Sequence, residues 1–301
     1  MRDSLHGLPA LILAATIASA GAAHAQSGGW NPFVSVTPVY QGKAGLDGGG
    51  DYSAGTLSVR AGVSRDLAGG HRAGVTLNYE VTDYSFSSPA SFGGAAPWGT
   101  VQRYGIATPL IYSVNNDWSV GFSPSADWLR ENGADSGDSL SWGAIVSANR
   151  RFADGNRIGF GLGVYDRIEK TLVFPLLLVD WRFNDRWRLV NPLPAGPTGP
   201  AGLELDYRFD RDWTLGLGAA WRSVRFRLSD TGPTPGGVGG ERGAPVFLRA
   251  TRSFGDGVAL HLYGGVVLAG QLRVEDGSGN ILRKVDFDPA PLVGATLSAR
   301  F

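Results

Sequence analysis

Chemistry in this chain has few places to start. Cysteine is absent, and beyond residue 25 the only histidines are His71 and His261. The first fact removes thiol nucleophiles, thiolate metal sites and disulfide frameworks. The second leaves two imidazoles as neutral-pH bases, and neither belongs to a G-x-S-x-G nucleophile elbow or an H-E-x-x-H pair. His71 reads as a solvated turn residue and His261 as a polar strand residue without catalytic partners. No catalytic residue, metal site or cofactor is therefore expected. Asp276, Asp286 and Asp288 are acidic neighbours, but they lack the ligand spacing of a calcium loop. Residues 236–240 follow no phosphate-cradling pattern and read as a flexible loop.

What remains is charge without a nucleophile. Arg60, Glu80, Arg103, Asp127, Glu204, Asp206, Arg222, Arg225, Arg227, Arg249 and His261 stand at the polar positions of stretches that alternate with apolar residues. On strands, such positions share one face. Arginines beside carboxylates inside a barrel give a transverse field that sorts solutes by charge, or they knit neighbouring strands together as ion pairs. Bringing Arg225 and Arg227 onto the face of Arg222 requires a one-residue shift of phase, which a β-bulge supplies.

The alternation that would position them runs along the whole chain. Leu57, Val59, Ala61 and Val63 take turns with Ser58, Arg60 and Gly62, and Val75, Leu77, Tyr79 and Val81 with Thr76, Asn78 and Glu80. Leu203, Leu205, Tyr207 and Phe209 oppose Glu204, Asp206 and Arg208, and the final stretch sets Val293, Ala295, Leu297, Ala299 and Phe301 against Gly294, Thr296, Ser298 and Arg300. One half-buried sheet explains one or two such strands. A dozen, with Ser, Gly and Thr on the polar side, indicate a transmembrane antiparallel up-and-down β-barrel, apolar toward lipid and polar toward a lumen. A last strand ending on Phe301 resembles the insertion signal of bacterial outer-membrane barrels, which implies the barrel-assembly machinery and outer-membrane lipid as partners.

Short links at 66–71, 115–117, 153–156, 184–185, 210–212 and 255–257 alternate with longer ones at 41–51, 85–100, 131–138, 166–170, 191–201, 229–244 and 270–288. That rhythm gives about 14 strands, within a range of about 12 to 16. The link through Asn191, Pro192, Pro194, Pro197 and Pro200 is stiffened by proline and cannot join a ladder, so it is a candidate constriction of the barrel mouth. Inward glycines (Gly121, Gly143, Gly159, Gly161, Gly163, Gly216 and Gly218) leave the interior short of bulk, so a lumen of this size is expected to hold water.

Two boundaries frame the barrel. Residues 1–25 carry a short apolar run and small residues around Ala25, the pattern of a secretory signal, so the barrel is expected over 26–301. With so little chain before the first strand, no amino-terminal plug is expected. The formal net charge of +0 gives no basic surface for nucleic acid.

The Pro-rich link and the strand at 221–228 together resemble an uncharacterised family of Gram-negative outer-membrane β-barrels. The resemblance implies fold and location over essentially all of 26–301 and no activity. Taken together, these features lead us to expect a passive, porin-like pore for small hydrophilic solutes with at most a weak anion preference. The alternatives are a non-conducting structural or adhesion barrel and, third, a lipid-modifying enzyme.

Overall fold

The computed structural model describes residues 29–193, 201–255 and 257–301. The signal-like segment 1–25 and three of the loop prolines (Pro194, Pro197 and Pro200) lie outside the described residues. Seventeen strand segments follow in order: β1 (Trp30–Gly45), β2 (Asp51–Asp66), β3 (Arg72–Ser87), β4 (Thr100–Ala107), β5 (Leu110–Ser113) and β6 (Trp118–Glu131). Then come β7 (Leu140–Arg151), β8 (Arg157–Arg167), β9 (Lys170–Arg182), β10 (Trp187–Val190), β11 (Gly202–Arg208) and β12 (Trp213–Ala220). The remainder are β13 (Arg222–Arg227), β14 (Val238–Ser253), β15 (Ala259–Glu275), β16 (Ile281–Phe287) and β17 (Ala290–Arg300). Three pairs lie end to end along a shared neighbour: β4 with β5 on β3 and β6, β12 with β13 on β14, and β16 with β17 on β15. The segments thus form fourteen staves of one antiparallel barrel, closed where β1 meets β17 from Phe33↔Arg300 to Gln41↔Leu292. At this seam the Phe301 amide donates to the Pro32 carbonyl at 2.9 Å.

The outer face is the one the alternation puts there. Leu77, Phe160, Leu217, Leu248 and Val293 are exposed on it. Aromatic residues border this belt. Near the short turns, arginines cover the indoles: Arg65 over Trp30 at 5.2 Å, Arg252 over Trp213 at 5.6 Å and Arg150 over Trp118 at 5.9 Å. Trp118 and Trp128 mark the two borders on β6. Their separation is about 33 Å of strand, which at a tilt of about 40° covers the height of about 25 Å that an outer-membrane barrel needs. The short turns repeat one device. The side-chain oxygens of Asn115, Asn184 and Asp210 each accept from the amides two and three residues on, ending at Trp118, Trp187 and Trp213. A self-bonded Asx turn thus hands the chain to an interfacial indole.

Above the belt the wall changes character. On β2 the outward residues pass from Leu57 to Gly55, Ser53 and Asp51, and on β3 from Val81 to Asp83, Ser85 and Ser87. Polar residues on the outer face put this upper part outside the bilayer. The strands also continue further than their alternation suggests. The links between β1 and β2, β8 and β9, and β15 and β16 are only residues 46–50, 168–169 and 276–280, which corrects the long links expected at 41–51, 166–170 and 270–288. For the first and last of these the cause is a level of irregularity shared by neighbouring strands: register shifts lie between Gln41 and Ala44, between Arg242 and Ala244, and beside Ala269, whose φ is +50°. A bulge reverses which residues face inward and bends the strand, so a continuing wall looks like a loop.

The bend closes the barrel on itself. Above Trp128, the edge of β6 no longer pairs with β7, and Arg130 bridges Arg227 of β13 in parallel. The upper parts of β13, β14, β15, β16, β1, β2, β3, β4 and β6 thereby form a second, narrower storey. Nine staves of alternating direction can close only through one parallel contact, and this is the one observed. A ring of that size is just filled by side chains, and here Tyr52, Trp98, Phe226, Leu228, Leu272 and Phe287 fill it. The staves β7 to β11 stop below.

Candidate functional site: the lumen and its charge clusters

Two inward clusters face each other across the bore. On one side, Glu80 stands opposite Arg103 in the ladder, and Arg103 Nε donates to Asp127 Oδ1 at 2.8 Å. Arg60 Nε donates to Asn78 Oδ1 at 3.1 Å, and Arg222 lies 3.9 Å from Glu80. On the other side, Arg249 reaches from β14 to β11, with Nε 2.6 Å from Glu204 Oε1 and Nη2 3.1 Å from Asp206 Oδ1. His261 closes this group: Nδ1 lies 2.8 Å from Thr251 Oγ1 and 3.4 Å from Arg249, and Nε2 lies 3.3 Å from Ser298 Oγ. Among the described residues the imidazole's partners are thus two hydroxyls and a guanidinium.

Glycine makes room for these groups. A Cβ on Gly216 would overlap Glu204 Oε1 and lie 2.8 Å from Asp206 Oδ1, and one on Gly105 would overlap Asp127. Other inward glycines are sockets for rings. Phe174 lies over Gly163, Phe247 over Gly218, Phe226 over Gly239 and Phe287 over Gly270. The small inward face is therefore partly filled from the next stave, which corrects the expectation of uniform open space. Gly216→Ala is expected to lower unfolding free energy by about 1–3 kcal/mol, the usual range for overpacking. Gly264→Ala, where an added Cβ meets nothing within 4 Å, should be near neutral in the same urea titration.

Arg225 and Arg227 sit elsewhere than expected. The pairing of β13 with β14 runs unbroken from Arg222↔Gly243 to Arg227↔Val238 and continues the register of β12. The expected phase shift is absent. Arg222 and Phe226 face inward, and Arg225 and Arg227 face the other way. They are buried nonetheless, because β13 crosses the mouth and the tops of the opposite staves lean on its outer side. Arg225 lies 2.6 Å from Glu275 and donates to the Ile168 carbonyl. Arg227 donates to the carbonyls of Asp138 (2.9 Å) and Gly236 (3.0 Å) and to Glu169 (2.7 Å). Burial raises the Glu275 carboxyl, but Arg225 and Arg273 more than offset it and hold it below the usual range.

Two features escaped the alternation. Strand β9 is apolar on both faces, and Leu172, Phe174, Leu176 and Leu178 form an apolar ladder inside the bore, with Phe174 stacked on Tyr165. An unbroken apolar run was the available signal. Asn191, assigned to the constriction, instead completes the wall: its side chain donates to the carbonyls of Leu177 and Gly202 and accepts from the Val179 amide. Pro192 is buried beside it. The candidate cation ligand Asp276 is committed to its own turn, accepting from Ser278 and Asn280, bonds that hold its carboxyl low, the Asn280 side chain first.

A protein-family model described as "Domain of unknown function (DUF6268)" matches residues 106–278, more than half of the chain. The chain belongs to this family. The DUF6268 match runs from β4 to the β15–β16 link, so it includes Glu204, Asp206, Arg225, Arg249 and the lid-forming β13. No curated protein matches the sequence. Among solved structures, the COG4313 outer membrane channel from Pseudomonas putida F1 is 12% identical, with 91% of this chain and 96% of that one covered and a TM-score of 0.47. The translocator domain of the autotransporter NalP from Neisseria meningitidis is 10% identical over 97% and 96%, with a TM-score of 0.37. The toluene transporter TodX of P. putida is 10% identical over 91% of each chain, with a TM-score of 0.40. For this DUF6268 chain the ladder, the apolar belt and the aromatic borders establish the fold directly: it is a bacterial outer-membrane β-barrel.

Proposed function

We propose that the protein is a narrow, porin-like pore for small hydrophilic solutes. One observation supports this above others. Arg103, Asp180 and Arg188 lie on inward positions of a closed wall, yet their side chains keep 38%, 37% and 39% of their surface open. Such accessible charges, with Arg103 well inside the ring and Asp180 and Arg188 toward its turn end, support a wet bore. Above Asp180 the apolar ladder of β9 leaves that flank of the bore without polar lining. The packed upper storey covers the axis, so solute passage is expected to require that this storey loosen.

The expected anion preference passes to other residues. Arg225 and Arg249 are paired and buried, whereas Arg151, Arg157 and Arg182 at the turn end of the bore have no ion pair among the described residues. In a planar bilayer under a salt gradient, the refolded barrel is expected to give small openings with a reversal potential toward anions. Arg157→Gln with Arg182→Gln should move it toward cations. Silence from barrels shown to be inserted would transfer the function to the second reading, a closed structural barrel, which the filled upper storey favours.

A further inference from the structure

We infer that the turn end of the bore holds a binding site for a small polyanion carrying phosphate or carboxylate oxygens. A cavity of about 230 Å³ lies there, lined by Arg151, Asp154, Asn156, Arg157, Asp180 and Arg182. Its ladder positions are unusual. Arg151 stands directly opposite Arg157, and Arg182 directly opposite Arg188. Like charges directly opposite on antiparallel strands repel, and here two such pairs adjoin on four consecutive staves.

The carboxylates at hand compensate them only in part, being hydrogen-bonded elsewhere. Asp180 stands opposite Arg157 in register but gives its oxygen to Arg188 at 2.7 Å. Asp154 accepts from the amide and the side chain of Asn156 at 3.0 and 2.8 Å. Three guanidinium groups are thus left facing one space, and a guanidinium is a fork that fits phosphate or carboxylate oxygens two at a time. The cavity wall is built, too. Asn156 is buried, accepts from the Arg182 amide at 2.7 Å and donates to the Arg182 carbonyl, tying the turn to β9. A site fixed in this way is pre-organised and does not have to collect its donors on binding.

The inference shares with the proposed pore only the premise that this end of the bore is open to solvent. It is tested by calorimetry on the refolded barrel in uncharged detergent, titrated with inorganic phosphate and separately with citrate at constant ionic strength in chloride. Saturable binding is expected, with Kd on the order of 1 mM or below for at least one of the two. Preference between them separates a phosphate-bearing from a carboxylate-bearing solute. Arg157→Gln and Arg182→Gln should each weaken it about tenfold or more. Arg157→Lys, which keeps the charge and loses the fork, should fall between, and Arg211→Gln on a distant turn should change nothing. If a glutamine variant fails to fold, the lysine variant carries the comparison. Heats of dilution alone, or equal weakening by Arg211→Gln, would overturn the site. A barrel that binds but does not conduct removes only the pore, and one that conducts without binding removes only this site.

Discussion

Replacing Arg249 with methionine is expected to cost about 3–5 kcal/mol of unfolding free energy, among the largest effects of any single lumen substitution. Arg249 is 7% exposed and Glu204 1%, and Asp206 shares the same guanidinium. Removing the cation leaves one carboxylate sealed in the wall and a second beside it. The Glu204 Oε2 atom already has no hydrogen-bond partner, so Arg249 carries nearly all of its compensation. The partner substitution separates pairing from packing. Glu204→Met combined with Arg249→Met removes both charges and should recover much of the loss, because a buried pair and an apolar pair of similar volume differ little. Urea unfolding in lipid vesicles of the wild type, Arg249→Met, Glu204→Met and the double variant gives the coupling directly. Additive losses would mean that the pair does not hold β11 and β14 together.

The second large effect concerns conduction. Arg225→Ala with Arg227→Ala removes every side-chain bond from β13 to residues 138, 168 and 169. Each bond to a charged group contributes about 1.5–3 kcal/mol, so the upper storey should loosen while the fourteen-stave ring, which uses neither residue, stays closed. Single-channel conductance is expected to rise several-fold. Acid should act in the same direction. Glu275 is held below its ordinary range, so its pair with Arg225 contributes fully above about pH 4.3 and is lost as pH falls through the depressed value. Unchanged conductance in a folded double variant would show that the upper storey does not limit flow.

How much of this was legible depends on how local each feature is. The staves β2, β3, β6 and β11 follow from period two because each buries nothing but its own inner face. The facing of Glu204, Asp206 and Arg249 also follows, since each is set by alternation within its own strand. That Arg249 reaches across β12 to meet them does not, because it depends on Gly216 standing between. The upper storey does not follow. Its strands pass through bulges near Gln41 and Ala269 that invert the period, and Phe226 meets Trp98 (5.2 Å between ring centroids) only because the sheet folds over. The glycine sockets were visible only as small residues. Which ring fills which glycine is set by the register between two strands, and alternation within either strand is silent about it. The arginine cavity was missed for the same reason: Arg151, Arg157 and Arg182 lie at the margins of short turns, and only the pairing shows that they converge.

A sheet that splits has an edge, and an edge invites strangers. Beyond the Gly202↔Ala220 pair that bounds the β11–β12 ladder, β13 is hydrogen-bonded to β14 on one side and, among the described residues, its ladder contact on the other side is the single bridge to Arg130. Exposed backbone of this kind is a template for strand addition by another chain. Here long cations guard it. Arg167 donates to the Ser223 carbonyl at 3.2 Å, and Arg225 and Arg227 tie the same strand to the turns beside it. Arginine-to-alanine changes along this strand would therefore also expose an adhesive seam, and barrels so altered should pair edge to edge during refolding.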